Sequence, residues 1–240
     1  LVVALAINTW RQGSQQLAES AVTPIKVDAD AVAQRLAKSV TFRTVSSQDK
    51  PDATDAEFRK LHAYLVQQYP LVHSALKREV IGASLLYTWN GTDPKALPIA
   101  LLAHQDVVPI ASGTEQAWSV DPFGGVIKDG FVWGRGTLDD KGNILAQLEA
   151  VEMLLASGFK PKQTIYLAMG QDEELGGARG NKALVDLLAS RGVKLDFVLD
   201  EGMVITEGVF PGLSKPLALI GLAEKGGLNL QLSYDGKPGH

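Results

Sequence analysis

The sequence predicts an α/β domain with a mostly parallel sheet flanked by helices, followed by the start of a smaller α+β domain. Three observations predict it. Residues 98–103, 164–169 and 195–199 are short, nearly continuous apolar runs, the composition of strands covered on both faces. Helical patterns lie between them. Ile144, Leu145, Leu148, Val151, Leu154 and Leu155 recur at helical spacing over residues 141–157, and a shorter pattern covers 181–190. Strands that alternate with helices give a parallel sheet. Near Leu217 the pattern changes, and residues 228–234 alternate strictly, as a half-exposed antiparallel strand does.

The elements follow in order. The chain opens on the apolar run Leu1 to Ile7, then a Gln/Ser-rich stretch over 12–20. Residues 1–24 are expected to be the end of a signal peptide or membrane anchor plus a linker, in preference to a frayed buried strand. A membrane-anchored or exported location is therefore favoured over a cytoplasmic one, although seven apolar residues cannot span a bilayer. The α/β domain is placed at 25–216 and the start of the second, α+β domain at 217–240. A helix over 28–40 puts Val32, Leu36 and Val40 on one face. A second, over 55–69, aligns Phe58, Leu61, Leu65 and Val66 and is stopped by Pro70. Residues 84–89 read as a strand ended by Asn90-Gly91, and 126–133 as a hairpin turning at Asp129-Gly130. Gly158 and Gly192 close the two later helices.

Composition excludes several functions. A 45% hydrophobic and 21% charged chain has the make-up of a folded domain. The net charge of -4, without a Lys/Arg cluster, gives no field for nucleic acid. There is no cysteine, so any metal is held by histidine and carboxylates.

Each apolar run ends on residues that can bind metal: His104-Gln105-Asp106, Asp172-Glu173-Glu174, and Asp200-Glu201. In an open α/β sheet the ligand sits outside the carboxyl ends of the strands. A fourth pair, Asp139-Asp140, precedes the long helix. Singly, these are a surface pair, a solvated acidic patch and a helix cap. Together at one edge they repel one another at neutral pH unless cations intervene. One imidazole with several carboxylates suits a catalytic zinc site, and two ions sharing a bridging carboxylate can polarise a carbonyl and acidify a water.

Five stretches in order carry a resemblance. They are His104-Gln105-Asp106-Val107-Val108-Pro109, Trp118 with Asp121-Pro122-Phe123, Trp133-Gly134-Arg135-Gly136-Thr137-Leu138-Asp139-Asp140-Lys141-Gly142, Asp172-Glu173-Glu174 and Leu199-Asp200-Glu201-Gly202. With them the chain resembles the co-catalytic zinc peptidase family of aminoacylase, glutamate carboxypeptidase and succinyl-diaminopimelate desuccinylase, in the branch of carboxypeptidase S and the N-fatty-acyl-amino-acid synthase/hydrolases. The resemblance implies a zinc peptidase-like catalytic domain, two Zn(2+) ions for which Co(2+) or Mn(2+) can substitute, and a homodimer formed through the second domain, a lid.

It also implies residue roles. His104 and Asp200 hold one zinc, Asp139 bridges both, and Glu174 holds the second. Glu173 is the general base, and Asp106 orients and polarises the His104 ring. The Asp139–Asp140 peptide is cis. His240 assists binding of the substrate carbonyl oxygen. A further histidine for the second zinc follows the lid in relatives and does not occur within these 240 residues. His62 and His73 do not match that motif and read as ordinary surface or helix residues. The 240 residues alone are thus expected to bind the second metal poorly and to be nearly inactive. The implied reaction is hydrolysis of an amide next to a free carboxylate, in a peptide or an N-acyl amino acid. The alternative, an inactive relative that serves as a binding module, predicts loss of a ligand or the base, whereas His104, Asp139, Glu173, Glu174 and Asp200 are all present.

Overall fold

A computed structural model describes residues 1–12, 25–223, 228 and 230–236. It separates into two units, residues 1–30 and 31–240. In the first, the opening apolar run is a helix, α1 (Val2–Arg11), with no buried residue. This rules out the buried strand as its local structure. No described helix is long and apolar enough to cross a membrane.

The second unit is organised by a five-stranded sheet. Its strands are β1 (Lys77–Ile81), β2 (Ser84–Trp89), β3 (Ile99–His104), β6 (Ile165–Gly170) and β7 (Val198–Leu199), in the order β1-β2-β6-β3-β7. β3 runs parallel to both β6 and β7, whereas β1 and β2 extend the sheet as an antiparallel hairpin. The expected α/β fold is present, but its sheet is mixed rather than mostly parallel: two of the four pairings are parallel and two antiparallel, and the parallel part lies at the three strands whose ends carry the candidate ligands.

Side-chain alternation explains how the sheet is covered. Leu85, Tyr87, Leu167 and Met169 face one way, into a core with Leu61 and Leu65 of α3 (Asp55–Gln68), Val72 of α4 (Pro70–Ala75) and Ile144, Leu145, Leu148 and Val151 of α5 (Lys141–Ala156). The intervening Leu86 and Ala168 face Leu184 and Leu188 of α6 (Asn181–Ser190). The apolar stripe at helical spacing on α5 is therefore the inner face of its layer, with Leu154 and Leu155 partly buried at its edge.

Two anchors tie α5 to α2 (Ala29–Val40) and the residues just after it. Lys141 is fully buried, and its Nζ donates to the carbonyls of Ser39 at 3.2 Å and Phe42 at 2.6 Å. These carbonyls lie at the helix C-terminus, where no intrahelical donor is left. Burial pushes the Lys141 ammonium down to about 7. Arg35 of α2 forms a two-pronged pair with Glu149, which also accepts from the Tyr69 hydroxyl at 2.9 Å. Between β3 and α5 lies the expected hairpin, β4 (Val126–Lys128) and β5 (Phe131–Trp133). Asp129 and Gly130 both take positive φ (54° and 79°), as a two-residue hairpin turn requires.

Several expectations change. Pro70 does not merely stop a helix: α3 ends at Gln68 and Pro70 opens α4, because proline at the first helical position lacks only a donor that would be unused. The third apolar run forms a strand of two residues, not five. Val198 and Leu199 are about half exposed, because β7 is an edge strand with a partner on one side only. The described residues of the 228–234 segment have no regular structure. Leu228, Leu230, Leu232 and Tyr234 are exposed, and an alternating strand has no stability without a partner edge and face. Leu217–Ala218 (β9) pairs with Ile205–Thr206 (β8).

Candidate metal centre

The centre is built from the carboxyl ends of β3 and β6, the residues before α5 and the turn after β7. In the β3–β6 ladder His104 lies opposite Gly170, so both strands finish at one level. His104 is 1% exposed. Its backbone N–H donates to Asp140 Oδ2 at 3.1 Å. Its Nδ1 lies 2.9 Å from the carbonyl oxygen of Asp106 and 3.3 Å from Asp106 Oδ1. These acceptors place the ring proton on Nδ1 and leave Nε2 to face the acids. Nε2 is 2.8 Å from Asp139 Oδ1, 3.4 Å from Glu201 Oε1 and 3.9 Å from Glu173 Oε2.

Asp106 has a second task that spacing does not reveal. It is fully buried, and its two carboxylate oxygens accept the N–H groups of Glu173 at 3.1 Å and Glu174 at 3.2 Å. One side chain thus fixes the 3-10 turn Glu173–Leu175 to the strand end that carries His104. The nearest acceptor of the His104 ring is the Asp106 carbonyl, so Asp106 orients the imidazole as much through its backbone as through its carboxylate. Asp172 performs a similar service downstream, accepting the N–H groups of Arg179 and Gly180, both at 2.8 Å, ahead of α6. The Asp139–Asp140 peptide is cis.

Two groups of side chains offer donor atoms that lie within 4.8 Å of one another: His104, Asp139 and Glu174, and His104, Glu173 and Glu201. Of the sequence-predicted ligands, His104, Asp139 and Glu174 therefore meet. Glu173 stands beside them. Asp200 belongs to neither group, and its Oδ1 accepts the N–H of Glu201 at 2.9 Å. The neighbouring Glu201 is the side chain that turns to His104, because successive side chains at a strand end point to opposite sides. His240 lies outside the described residues. His62 lies on a helix, α3, as expected, but not at the surface: it is 7% exposed and hydrogen-bonded to Gln105 at 2.7 Å. His73 is half-buried, between the Tyr69 carbonyl at 2.8 Å and the Tyr87 hydroxyl at 3.0 Å.

The electrostatics are those of a crowded acid site. Burial raises Glu173, Glu174 and Glu201 above the ordinary carboxylate range, and repulsion from Asp139 adds to all three. Burial likewise lifts the Asp140 carboxyl to about 7. For His104 burial acts downward, yet the Asp106 hydrogen bond and the surrounding charges override it and raise the ring to about 10. The group thus accumulates negative charge around one aimed imidazole nitrogen. That donor set fits a divalent cation such as zinc, bound through nitrogen and carboxylate oxygen. Asp140, Glu201, Gln105 and His62 were not assigned roles from sequence. Glu201, Asp140 and Gln105 lie inside the motif stretches beside assigned positions, and nothing in the sequence pattern marks His62.

The chain has relatives among known proteins. Residues 100–217 match the model of peptidase family M20/M25/M40. The chain is 41% identical to the probable carboxypeptidase S-like 2 of Dictyostelium discoideum, over all of this chain and 48% of that protein. It is 38% identical to the N-fatty-acyl-amino acid synthase/hydrolase of Xenopus tropicalis, over 98% and 45%, and 37% identical to carboxypeptidase S of Saccharomyces cerevisiae, over 86% and 37%. The chain spans about half the length of the first two of these relatives or less. Among solved structures, human carnosine dipeptidase 1 shares the fold with a TM-score of 0.59 and 22% identity, over 74% of this chain and 40% of that one. With these motifs in this order at the carboxyl edge of this sheet, the chain belongs over residues 100–217 to peptidase family M20/M25/M40.

Proposed function

We propose that the chain is the metal-binding part of a zinc-dependent hydrolase that cleaves an amide bond next to a free carboxylate, in a peptide's C-terminal bond or an N-acyl amino acid. The observation that carries this reading is the convergence of Asp139, Glu173, Glu174 and Glu201 on His104 at the ends of β3 and β6. His104 and Asp139 would hold a first ion, completed by a carboxylate of the Asp200-Glu201 pair. Asp139 and Glu174 would contribute to a second. When bound, the ions supply Lewis acidity toward the substrate carbonyl and lower the pKa of a water. Glu173 takes the proton of the attacking water and returns it to the leaving amine. Its position beside His104 and its raised pKa suit a group that must hold a proton between two steps. Asp106 holds Glu173 and His104 in fixed relation throughout.

Residues 217–240 are proposed to begin a lid through which two copies pair, with His240 reaching the substrate oxygen. The wholly exposed apolar run at Leu1 to Ile7 supports a membrane-anchored or exported location. The names of the relatives support both substrate classes, carboxypeptidase for peptides and synthase/hydrolase for N-acyl amino acids. Hydrolysis of N-acyl amino acids but not dipeptides would decide for the second.

The experiment compares the whole protein that carries these residues with its Glu173→Gln form, measuring bound zinc and hydrolysis together. Zinc retained with hydrolysis lost is the expected result. Hydrolysis retained in Glu173→Gln would remove Glu173 as the base. Full turnover by the 240 residues alone would overturn the incompleteness assigned to the second metal position.

A further inference from the structure

Gln105 lies between the two residues that build the imidazole side of the centre, and the proposed chemistry does not use it. Its side chain is fully buried and bonded on every side. Nε2 donates to the carbonyls of Ala83 at 3.0 Å and Met169 at 2.9 Å, with the Gly170 carbonyl at 3.4 Å. Oε1 meets His62 Nε2 at 2.7 Å. The main chain adds two bonds: its N–H donates to the Gly170 carbonyl at 2.8 Å, and its carbonyl accepts from Thr44 Oγ1 at 2.6 Å. Since two carbonyls fix the nitrogen side of the amide, its oxygen faces His62, and His62 Nε2 must carry the proton. Burial pushes the His62 ring down to about 4, so at neutral pH it is an uncharged, single-tautomer donor.

The location of this hub is what matters. The β3–β6 ladder ends where His104 faces Gly170. Gln105 is the next residue, and its bonds continue the attachment beyond the last rung, to β6, to the β1–β2 turn and to α3. One residue further, Asp106 takes the N–H groups of Glu173 and Glu174. An apolar side chain of similar volume would fill the space without the desolvation of an amide. A fully satisfied buried polar network instead specifies one geometry.

We infer that His62 and Gln105 are positioning residues for the metal centre: through them α3 locks the ends of β3 and β6 together and sets the separation of His104 from Glu173 and Glu174. This rests on the metal-centre reading above. Groups that orient ligands without touching the metal typically change its affinity about 10- to 100-fold when removed.

The test uses the full chain in three forms: parent, His62→Leu and His62→Gln. Glutamine can return an N–H to the position of imidazole Nε2, and leucine cannot. Zinc affinity is measured by competition with a chromophoric chelator, the visible spectrum is recorded with cobalt, and folding is followed by circular dichroism with a chelator present. The expected result is zinc binding weakened at least about tenfold and altered cobalt bands in His62→Leu, with the fold retained, and recovery to within about threefold in His62→Gln. Should leucine at 62 prevent folding, Gln105→Met, which keeps the volume, carries the same comparison. Equal zinc affinity and cobalt spectra in parent and leucine forms would overturn the positioning role alone. Equal loss in the leucine and glutamine forms would also overturn it. Absence of zinc binding in the parent would overturn the metal centre itself, and this role with it.

Discussion

Replacing Asp106 with asparagine keeps the shape of a fully buried side chain but removes one of its two acceptors. In the parent the two carboxylate oxygens take the N–H groups of Glu173 at 3.1 Å and Glu174 at 3.2 Å. An asparagine can accept one of these and must present its own NH2 to the other. One hydrogen bond to a charged group is thus lost, worth about 1.5–3 kcal/mol. If the whole loss falls on the metal-competent arrangement, zinc affinity drops between about tenfold and a hundredfold, at about 1.4 kcal/mol per factor of ten. Two measurements check this: zinc affinity by chelator competition, and hydrogen exchange of the Glu173 and Glu174 amides with zinc absent. The expected outcome is weakened binding together with faster exchange at one or both amides. Unchanged exchange and unchanged affinity would refute the clamp and return Asp106 to a role toward the imidazole alone.

Two further outcomes are expected. His62 is held near 4 in the folded chain, against 6.5 as the ordinary value, chiefly by burial. Between these values the unfolded chain binds the extra proton, so stability is full above pH 6.5 and falls as pH drops toward 4. The loss at pH 5 is about 2 kcal/mol relative to pH 7.5. Urea unfolding of the parent and of His62→Gln should show that difference in the parent only, and equal pH dependence in both would contradict it. Separate substitution of Asp200 and Glu201 by alanine should divide the third ligand role. Side-chain geometry points to Glu201 and motif resemblance to Asp200. Zinc affinity should fall at least about tenfold for one of the two and little for the other. Unaltered affinity in both would remove this pair from the centre.

Much of this was readable in advance, for identifiable reasons. The stripe of Ile144, Leu145, Leu148 and Val151 locates α5 because a two-sided layer needs an apolar face at helical period. The runs ending at His104 and Gly170 locate β3 and β6 because both are covered on both faces. The same logic overstates β7. An apolar run reports a preference for burial, and whether Val198 and Leu199 are covered depends on a neighbour strand that local sequence does not supply. Residues 228–234 illustrate the same dependence.

At the centre, His104, Asp139, Glu173 and Glu174 were recoverable because each follows a strand or precedes a helix whose position is itself readable. The choice between Asp200 and Glu201 was not, since adjacent residues differ only in the side to which they point. His62 and Gln105 are 43 positions apart and meet only in the folded chain. Nothing in the spacing of either announces the other.

The central claim is that this chain holds a divalent metal through His104. It is tested most directly by equilibrium dialysis against zinc, followed by elemental analysis of the parent and of His104→Ala, with circular dichroism to confirm that both are folded. Zinc retained by the parent, with affinity at least about tenfold weaker in His104→Ala, is the expected result. A folded parent that retains no zinc, or a His104→Ala form that retains as much as the parent, would contradict it.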